Sequence, residues 1–228
     1  MSLAPLGFGL ALSIACLGET EALAQAFSGD ASLKTYAVHI NRTPQQPWPG
    51  YGIYLGNGLV LTASHVAGNF ALTKPHVLIA GLDLPASLVK EGTLEAVDLT
   101  LLSIDTTRLP ARLGLSRLPL CEKAPFAGET VVVAIPERTA RSHILSPRAI
   151  PPDLRDRFDT VIGDVATTGN SGSGVFDAWK QCLLGIVSRK ISVVRRPSLG
   201  NPPQTIDIAK YFVPVRDIKL FIPADVSF

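Results

Sequence analysis

Residues 50–66 read Gly-Tyr-Gly-Ile-Tyr-Leu-Gly-Asn-Gly-Leu-Val-Leu-Thr-Ala-Ser-His-Val. Two short apolar runs, Gly50–Leu55 and Leu59–Thr62, flank Gly56-Asn57-Gly58. Asn-Gly tolerates positive φ at both turn positions, as the turns that join antiparallel strands require. The stretch therefore predicts a tight β-hairpin whose second strand runs straight into Thr62-Ala63-Ser64-His65. Working outward, further strands are predicted at Thr35–Asn41, His76–Ala80, Ala86–Lys90 and Leu99–Ile104. Residues 105–128 carry prolines and few periodic apolar positions, so they read as a connector across a surface. A second group follows at Thr130–Ile135, Ser142–Leu145, Thr160–Val165, Gly174–Asp177, Leu183–Arg189 and Ile206–Phe212. Arg195–Gln204 is polar and Pro-rich and reads as an exposed loop. Pro214, followed by Val215, Ile218, Leu220, Phe221 and Ile222, predicts a short C-terminal helix with Pro in its first turn. The fold class is all-β: two β units of about equal size, a long connector and a closing helix.

Composition agrees. The chain has 228 residues, 46% hydrophobic and 18% charged, which supports a real core and excludes wholesale disorder. Its 19 glycines and 18 prolines suit many short strands joined by turns. The net charge of +2 has no long Lys/Arg run behind it, so no nucleic-acid partner is expected. Residues 1–18 carry no charged side chain, and Leu6–Leu17 has the length of a signal-peptide core rather than a membrane span. Ala22-Leu23-Ala24 supplies small residues for cleavage after Ala24. The expectation is a signal peptide at 1–24, a mature domain at 25–228, a secreted or periplasmic location and no membrane span once the signal is removed. Cys16 leaves with the signal. Cys121 and Cys182 remain as an even pair in an oxidising compartment and suggest one disulfide, two buried thiols being the other reading.

Three segments carry chemistry. Leu61-Thr62-Ala63-Ser64-His65-Val66 leaves a strand, Asp98-Leu99-Thr100-Leu101-Leu102 begins one, and Thr168-Gly169-Asn170-Ser171-Gly172-Ser173-Gly174-Val175-Phe176 is a Gly-rich turn entering another. A serine hydroxyl needs a base to take its proton as it attacks. Histidine fits, since its ordinary pKa near ~6.5 lets it accept and return a proton. A carboxylate is needed to hold the tautomer and stabilise the imidazolium. His65, Asp98 and Ser171 are the candidates for these roles. An oxyanion needs converging backbone N–H groups, which a glycine bend can supply, and the amides of Gly169 and Ser171 are the candidates. The Gly/Ser stretch lacks the Lys of a phosphate-binding loop. The order His, Asp, Ser also differs from that of the α/β-hydrolases. His39, His76 and His143 have no metal-ligand spacing and read as structural or exposed, so no metal and no cofactor is expected.

With these residues in view, the chain resembles the trypsin-like (chymotrypsin-fold) serine proteases, of the compact bacterial kind that includes the glutamyl endopeptidases and the HtrA protease domain. Thr-Ala-Ser-His resembles that family's Thr-Ala-Ala/Ser-His motif. Asp-Leu-Thr-Leu-Leu resembles its Asp-Ile/Leu-Ala-Leu-Leu motif, and Gly-Asn-Ser-Gly-Ser-Gly-Val-Phe its Gly-Asp/Asn-Ser-Gly-Gly/Ser-Pro-Val motif. Leu184-Gly185-Ile186-Val187-Ser188 matches the strand lining the family's substrate cleft. The resemblance spans roughly residues 33–222.

It implies two six-stranded antiparallel β-barrels, at about 30–110 and 125–213, with the terminal helix at 214–222 and the active site between the barrels. It implies a secreted serine endopeptidase, a monomer acting on peptide or protein substrates. The competing reading is a catalytically silent, protease-like domain that binds protein or acts as a chaperone. The resemblance makes Ser188 a partner of the buried Asp98, and residues Ser188, Arg189 and Lys190 the strand edge on which a peptide pairs. It builds the pocket wall from Val165, Ala166, Thr167 and Thr168, with no acidic residue at its base. An apolar, small-to-medium P1 residue is the default, with acidic residues as the rival that Arg189 and Lys190 raise. Asn170 replaces an Asp that serves activation in the digestive branch, so activation by a newly freed N-terminus is not expected. Gly174 replaces a usual Pro, which predicts a less rigid turn.

Overall fold

Several strands of this chain are apolar at consecutive rather than alternate positions, and the architecture explains why. The computed structural model describes residues 29–40, 50–70, 72, 74–114, 117–163, 171–195 and 202–227. In the first half, β1 (Ala37–Ile40), β2 (Gly50–Gly56), β3 (Leu59–Thr62), β4 (His76–Ile79), β5 (Leu82–Glu91) and β6 (Thr100–Ile104) close into an antiparallel barrel in the order β1-β2-β3-β6-β5-β4. Tyr54, Val60 and Leu102 fill its interior with Val38, Val77 and Leu84. Their neighbours Ile53, Leu55, Leu61 and Leu101 point out of the barrel, into a second apolar layer shared with the other half. Every residue of β2 and β3 is buried as a result. A strand covered on both faces reads as a continuous apolar run.

The second half contributes β7 (Thr130–Ala134), β8 (Thr139–His143), β9 (Val161–Ile162), β10 (Gly174–Asp177), β11 (Leu183–Arg195) and β12 (Gln204–Pro214). They form a six-stranded antiparallel sheet in the order β8-β7-β10-β11-β12-β9. Val132, Ala134, Phe176, Leu183 and Ile186 face the shared layer. Val131, Val133, Val175, Leu184 and Val187 form this half's own core. The sequence predicted a second barrel here. Instead, the outer strands β8 and β9 meet through a single bridge, Ile144 to Ile162, with Leu145 N–H donating to the Val161 carbonyl at 2.8 Å. With only two residues, β9 is too short to sustain a closing ladder.

The central hairpin is as predicted: Asn57 and Gly58 take φ 49° and 79° between β2 and β3. A second such turn at Ala80 (φ 50°) and Gly81 (φ 79°) starts β5 at Leu82, four residues ahead of the predicted strand. Ala-Gly lacks the polar first residue that marks such turns in a sequence. The strand predicted at Ser142–Leu145 lies earlier, at Thr139–His143, where its ladder with β7 runs from Thr130–His143 to Ala134–Thr139. The predicted loop Arg195–Gln204 has both ends in strands, since Arg195 pairs with Gln204 across β11 and β12. Residues 196–201 lie outside the described residues.

Cys121 and Cys182 form a disulfide, with Cα atoms 5.0 Å apart. Together with the Cys121 N–H donating to the Leu183 carbonyl at 3.0 Å, it fastens the connector to the start of β11. The terminal helix Val215–Phe221 follows Pro214 and sends Ile218 and Phe221 into the shared layer. Among the described residues no helix is long and apolar enough to cross a membrane.

Candidate active site

The seam between the two halves is where the three chemical segments meet. β3 ends at Thr62, and Ala63 turns the chain into the four-residue helix Ser64–Ala67, which carries His65. β3 pairs with β6 from Leu59–Ser103 to Thr62–Thr100, so residues just before β6 lie beside those just after β3. That register brings Asp98 to His65. The Asp98 side chain is 1% exposed and the His65 side chain 30%. His65 Nδ1 lies 2.8 Å from Asp98 Oδ2 and 3.1 Å from Oδ1.

Asp98 is held by more than the imidazole. Ser64 Oγ donates to Oδ1 at 2.8 Å, the His65 backbone N–H to Oδ1 at 3.2 Å, and Ser188 Oγ to Oδ2 at 2.5 Å. Burial by itself would push this carboxyl up. The bonds from His65, Ser188 and Ser64 more than offset that and hold it at about 2, below its ordinary 3.8. The group is therefore ionised at neutral pH and can only accept. His65 Nδ1 must then carry the ring proton, which leaves Nε2 as the basic nitrogen of the neutral imidazole.

Ser171 reaches the seam from the second half. Its carbonyl accepts from Tyr51 N–H of β2 at 3.1 Å, and Gly172 N–H donates to the Val187 carbonyl at 2.8 Å. Gly172 has φ +87°, and a Cβ there would meet the Tyr51 carbonyl oxygen at 1.7 Å and Thr62 Oγ1 at 2.9 Å. The Ser171-Gly172 turn is thus docked directly on the barrel that carries His65. The Ser171 hydroxyl donates to the Ser188 carbonyl at 2.8 Å rather than to the imidazole. One residue, Ser188, therefore anchors Ser171 by its backbone and Asp98 by its side chain.

Of the sequence-predicted residues, the structure joins His65 to Asp98 directly and Ser171 to Asp98 through Ser188. Gly169 of the expected oxyanion hole and the pocket residues Val165, Ala166, Thr167 and Thr168 lie outside the described residues, as does Asn170. Gly174 is not the loose position its sequence suggested. It begins β10, pairs with Ala134 and Ile186 on its two sides, and a Cβ there would meet Ile53 Cδ1 at 2.6 Å. Arg189 donates from Nη2 to the Leu94 carbonyl at 2.8 Å and from Nε to Ser188 Oγ at 3.3 Å. Lys190 pairs with Asp207 at 2.5 Å. Ser64 and Gly172 were not singled out by sequence. Ser64 gave no local signal, because its partner lies 34 residues away.

The remaining histidines have partners elsewhere: His39 with Glu137 at 2.9 Å, His76 with Asp83 at 3.1 Å, and His143 with the Thr130 hydroxyl at 3.3 Å. Among the described residues no three His, Cys, Asp or Glu side chains gather as metal ligands. An open hollow of about 320 Å³ beside His65 is lined by Ser64, Gly68, Asn69, Glu91, Thr93 and Leu94.

No protein-family model matches the chain, and no curated protein matches its sequence. Solved structures do match it in shape. The protease Rv3671c from M. tuberculosis, in its inactive form, is 18% identical with a TM-score of 0.60, covering 88% of this chain and 93% of that one. The HtrA-type protease AlgW with tripeptide is 19% identical with a TM-score of 0.60, covering 86% of this chain and 60% of that one. Kallikrein-related peptidase 10 is 16% identical with a TM-score of 0.60, covering 82% and 93%. Likeness at this identity speaks to architecture: the chain has the chymotrypsin-type fold, two six-stranded antiparallel β units with His65, Asp98 and Ser171 at the seam between them.

Proposed function

We propose that the chain is a serine endopeptidase that cleaves peptide bonds through an acyl-enzyme on Ser171. The observation that carries this reading is the Ser188 junction, at which an ionised Asp98 holding His65 Nδ1 and the Ser171 hydroxyl are fixed by one residue. In this mechanism the Ser171 hydroxyl exchanges the Ser188 carbonyl for His65 Nε2 as acceptor. Ser171 Oγ then attacks the scissile carbonyl carbon while its proton passes to Nε2. Asp98 stabilises the imidazolium, and the carbonyl electrons move onto an oxygen that the Gly169 and Ser171 amides receive. As the tetrahedral centre collapses, the C–N bond breaks and the amine leaves with the proton from Nε2. Water, deprotonated by the same nitrogen, releases the acid.

The fold likeness to HtrA-type and trypsin-like proteases supports this reading. So does the shape of β11. It pairs with β12 along its length, while its described pairing with β10 covers only residues 183–186. Ser188, Arg189 and Lys190 thus lie beyond the described β10 pairing, and we place the pairing of an extended peptide on this stretch. The bonds of Arg189 to Leu94 and of Lys190 to Asp207 support an apolar P1 residue over an acidic one, with Val165–Thr168 as the pocket wall. The Cys121–Cys182 disulfide supports an oxidising, secreted or periplasmic location.

A fluorophosphonate probe tests the proposal. It should label the protein on Ser171, and Ser171→Ala should abolish both labelling and hydrolysis of an apolar-P1 peptide library. Labelling elsewhere, or full hydrolysis by the alanine variant, would overturn the assignment of the nucleophile. An unreactive, folded wild-type protein would point instead to a silent, protein-binding domain.

A further inference from the structure

We infer that Arg189 is a positioning residue for the Asp98–His65 pair, an inference that rests on the triad reading above. Ser188 Oγ donates to Asp98 Oδ2 and accepts from Arg189 Nε. A guanidinium can only donate and an ionised carboxylate can only accept, so this pair of neighbours fixes the direction of the hydroxyl between them. With Arg189 in place the Ser188 proton points at Asp98. Without it the hydroxyl has no donor behind it, and the bond by which Ser188 helps hold the Asp98 charge is less firmly oriented.

The same side chain reaches across the seam. Nη2 donates to the carbonyl of Leu94, in the segment that leads to Asp98, while the backbone of Arg189 lies in β11 beside the Ser188 carbonyl that anchors Ser171. The guanidinium carbon also lies 5.6 Å from the centre of the Phe158 ring, which limits its swing. Arg189 thereby ties the loop that carries the carboxylate to the strand that holds the nucleophile. The sequence marked this position only as a cation that could crowd the cleft. The geometry assigns it a different task, because its polar contacts run to Ser188 and Leu94.

The chemistry separates Arg from Lys here. One guanidinium serves Ser188 and Leu94 through two different nitrogens in a fixed fork, which a single ammonium cannot reproduce. Arg189→Met keeps the apolar stem and removes every donor, and Arg189→Lys keeps the charge alone. We expect Arg189→Met to lower kcat about tenfold with KM nearly unchanged, and Arg189→Lys to recover little of the loss. In both variants the low-field proton NMR signal of His65 Nδ1–H should move upfield and broaden. Added guanidinium ion should restore part of the activity of Arg189→Ala. Folded Arg189→Met protein with the wild-type kcat and an unmoved Nδ1–H signal would overturn the inference. The NMR reading needs no turnover. An unlabelled wild-type enzyme would therefore refute the peptidase proposal, while the response of the signal would still decide the role of Arg189.

Discussion

Gly172 lies against the backbone of Tyr51 so closely that any Cβ at this position would collide with the Tyr51 carbonyl oxygen, at 1.7 Å. The contact joins the Ser171-Gly172 turn of the second half to β2 of the first. It depends on two properties that only glycine has, the lack of a side chain and easy access to φ +87°. Gly172→Ala should therefore cost about 3 kcal/mol or more in folding stability, through backbone strain and the forced separation of the two strands. Chemical denaturation measures the loss. Activity should fall further than stability explains, because the Tyr51–Ser171 bond that sets the serine would open. A variant with wild-type stability would show that the turn is not docked here.

Asp98 gives the fold a pH dependence whose sign is fixed. Its pKa is about 2 when folded against an ordinary 3.8, so the unfolded chain binds the proton more readily. The stabilisation is complete above about pH 4 and is lost as the pH falls through about 2. The shift is worth about 2 kcal/mol for a side chain this buried. Urea unfolding between about pH 5 and 2 should show the stability gap between wild type and Asp98→Asn narrowing by this amount. Ser188→Ala should move the whole wild-type acid transition to higher pH, since it removes the donor on Oδ2. A gap that stays constant with pH would mean that Asp98 is not depressed in the folded protein.

How much of this was legible in the sequence follows from the range of each interaction. The β2–β3 hairpin and β10 were readable because a turn residue or an apolar run is a local property. The triad candidates were readable because three short motifs in one order point to one chemistry. The Ala80-Gly81 turn escaped because positive φ at an alanine has no compositional mark. The outer end of the β11–β12 arm, Ser192–Arg195 with Gln204 and Thr205, escaped because its residues are mostly exposed, so pairing rather than burial defines it. Ser64, Gly172 and the bond of Arg189 to Leu94 escaped for one common reason: each acts on a residue brought near only by the docking of distant strands.

The disulfide closes a sequence separation of 61 residues. Its loss should destabilise the fold by about 2–4 kcal/mol, chiefly through the entropy returned to the unfolded chain. The double variant Cys121→Ser, Cys182→Ser should show this in the denaturation midpoint. Because Cys121 N–H still bonds to the Leu183 carbonyl, the native sheet should survive at low temperature, with unchanged far-ultraviolet circular dichroism. Equal stability with and without reductant would show that the bridge contributes nothing.

Thr100 sits two residues beyond Asp98 at the start of β6, fully buried, and its hydroxyl has no hydrogen-bond partner among the described residues. The contrast with Thr62, its partner across the β3–β6 ladder, is direct, since that hydroxyl donates to the Tyr51 carbonyl at 2.6 Å. A buried hydroxyl without a partner carries a desolvation cost that a methyl group of the same shape does not. Valine also keeps the β-branched outline that a strand favours. Thr100→Val should therefore stabilise the protein by about 1 kcal/mol, seen as a raised thermal midpoint, whereas Thr62→Val should destabilise it by about as much or more. Activity should be retained in Thr100→Val, because the side chain touches neither Asp98 nor His65 in the hydrogen-bond network of the site. A lowered midpoint would mean that the Thr100 hydroxyl has a partner, such as a buried water, that valine cannot replace.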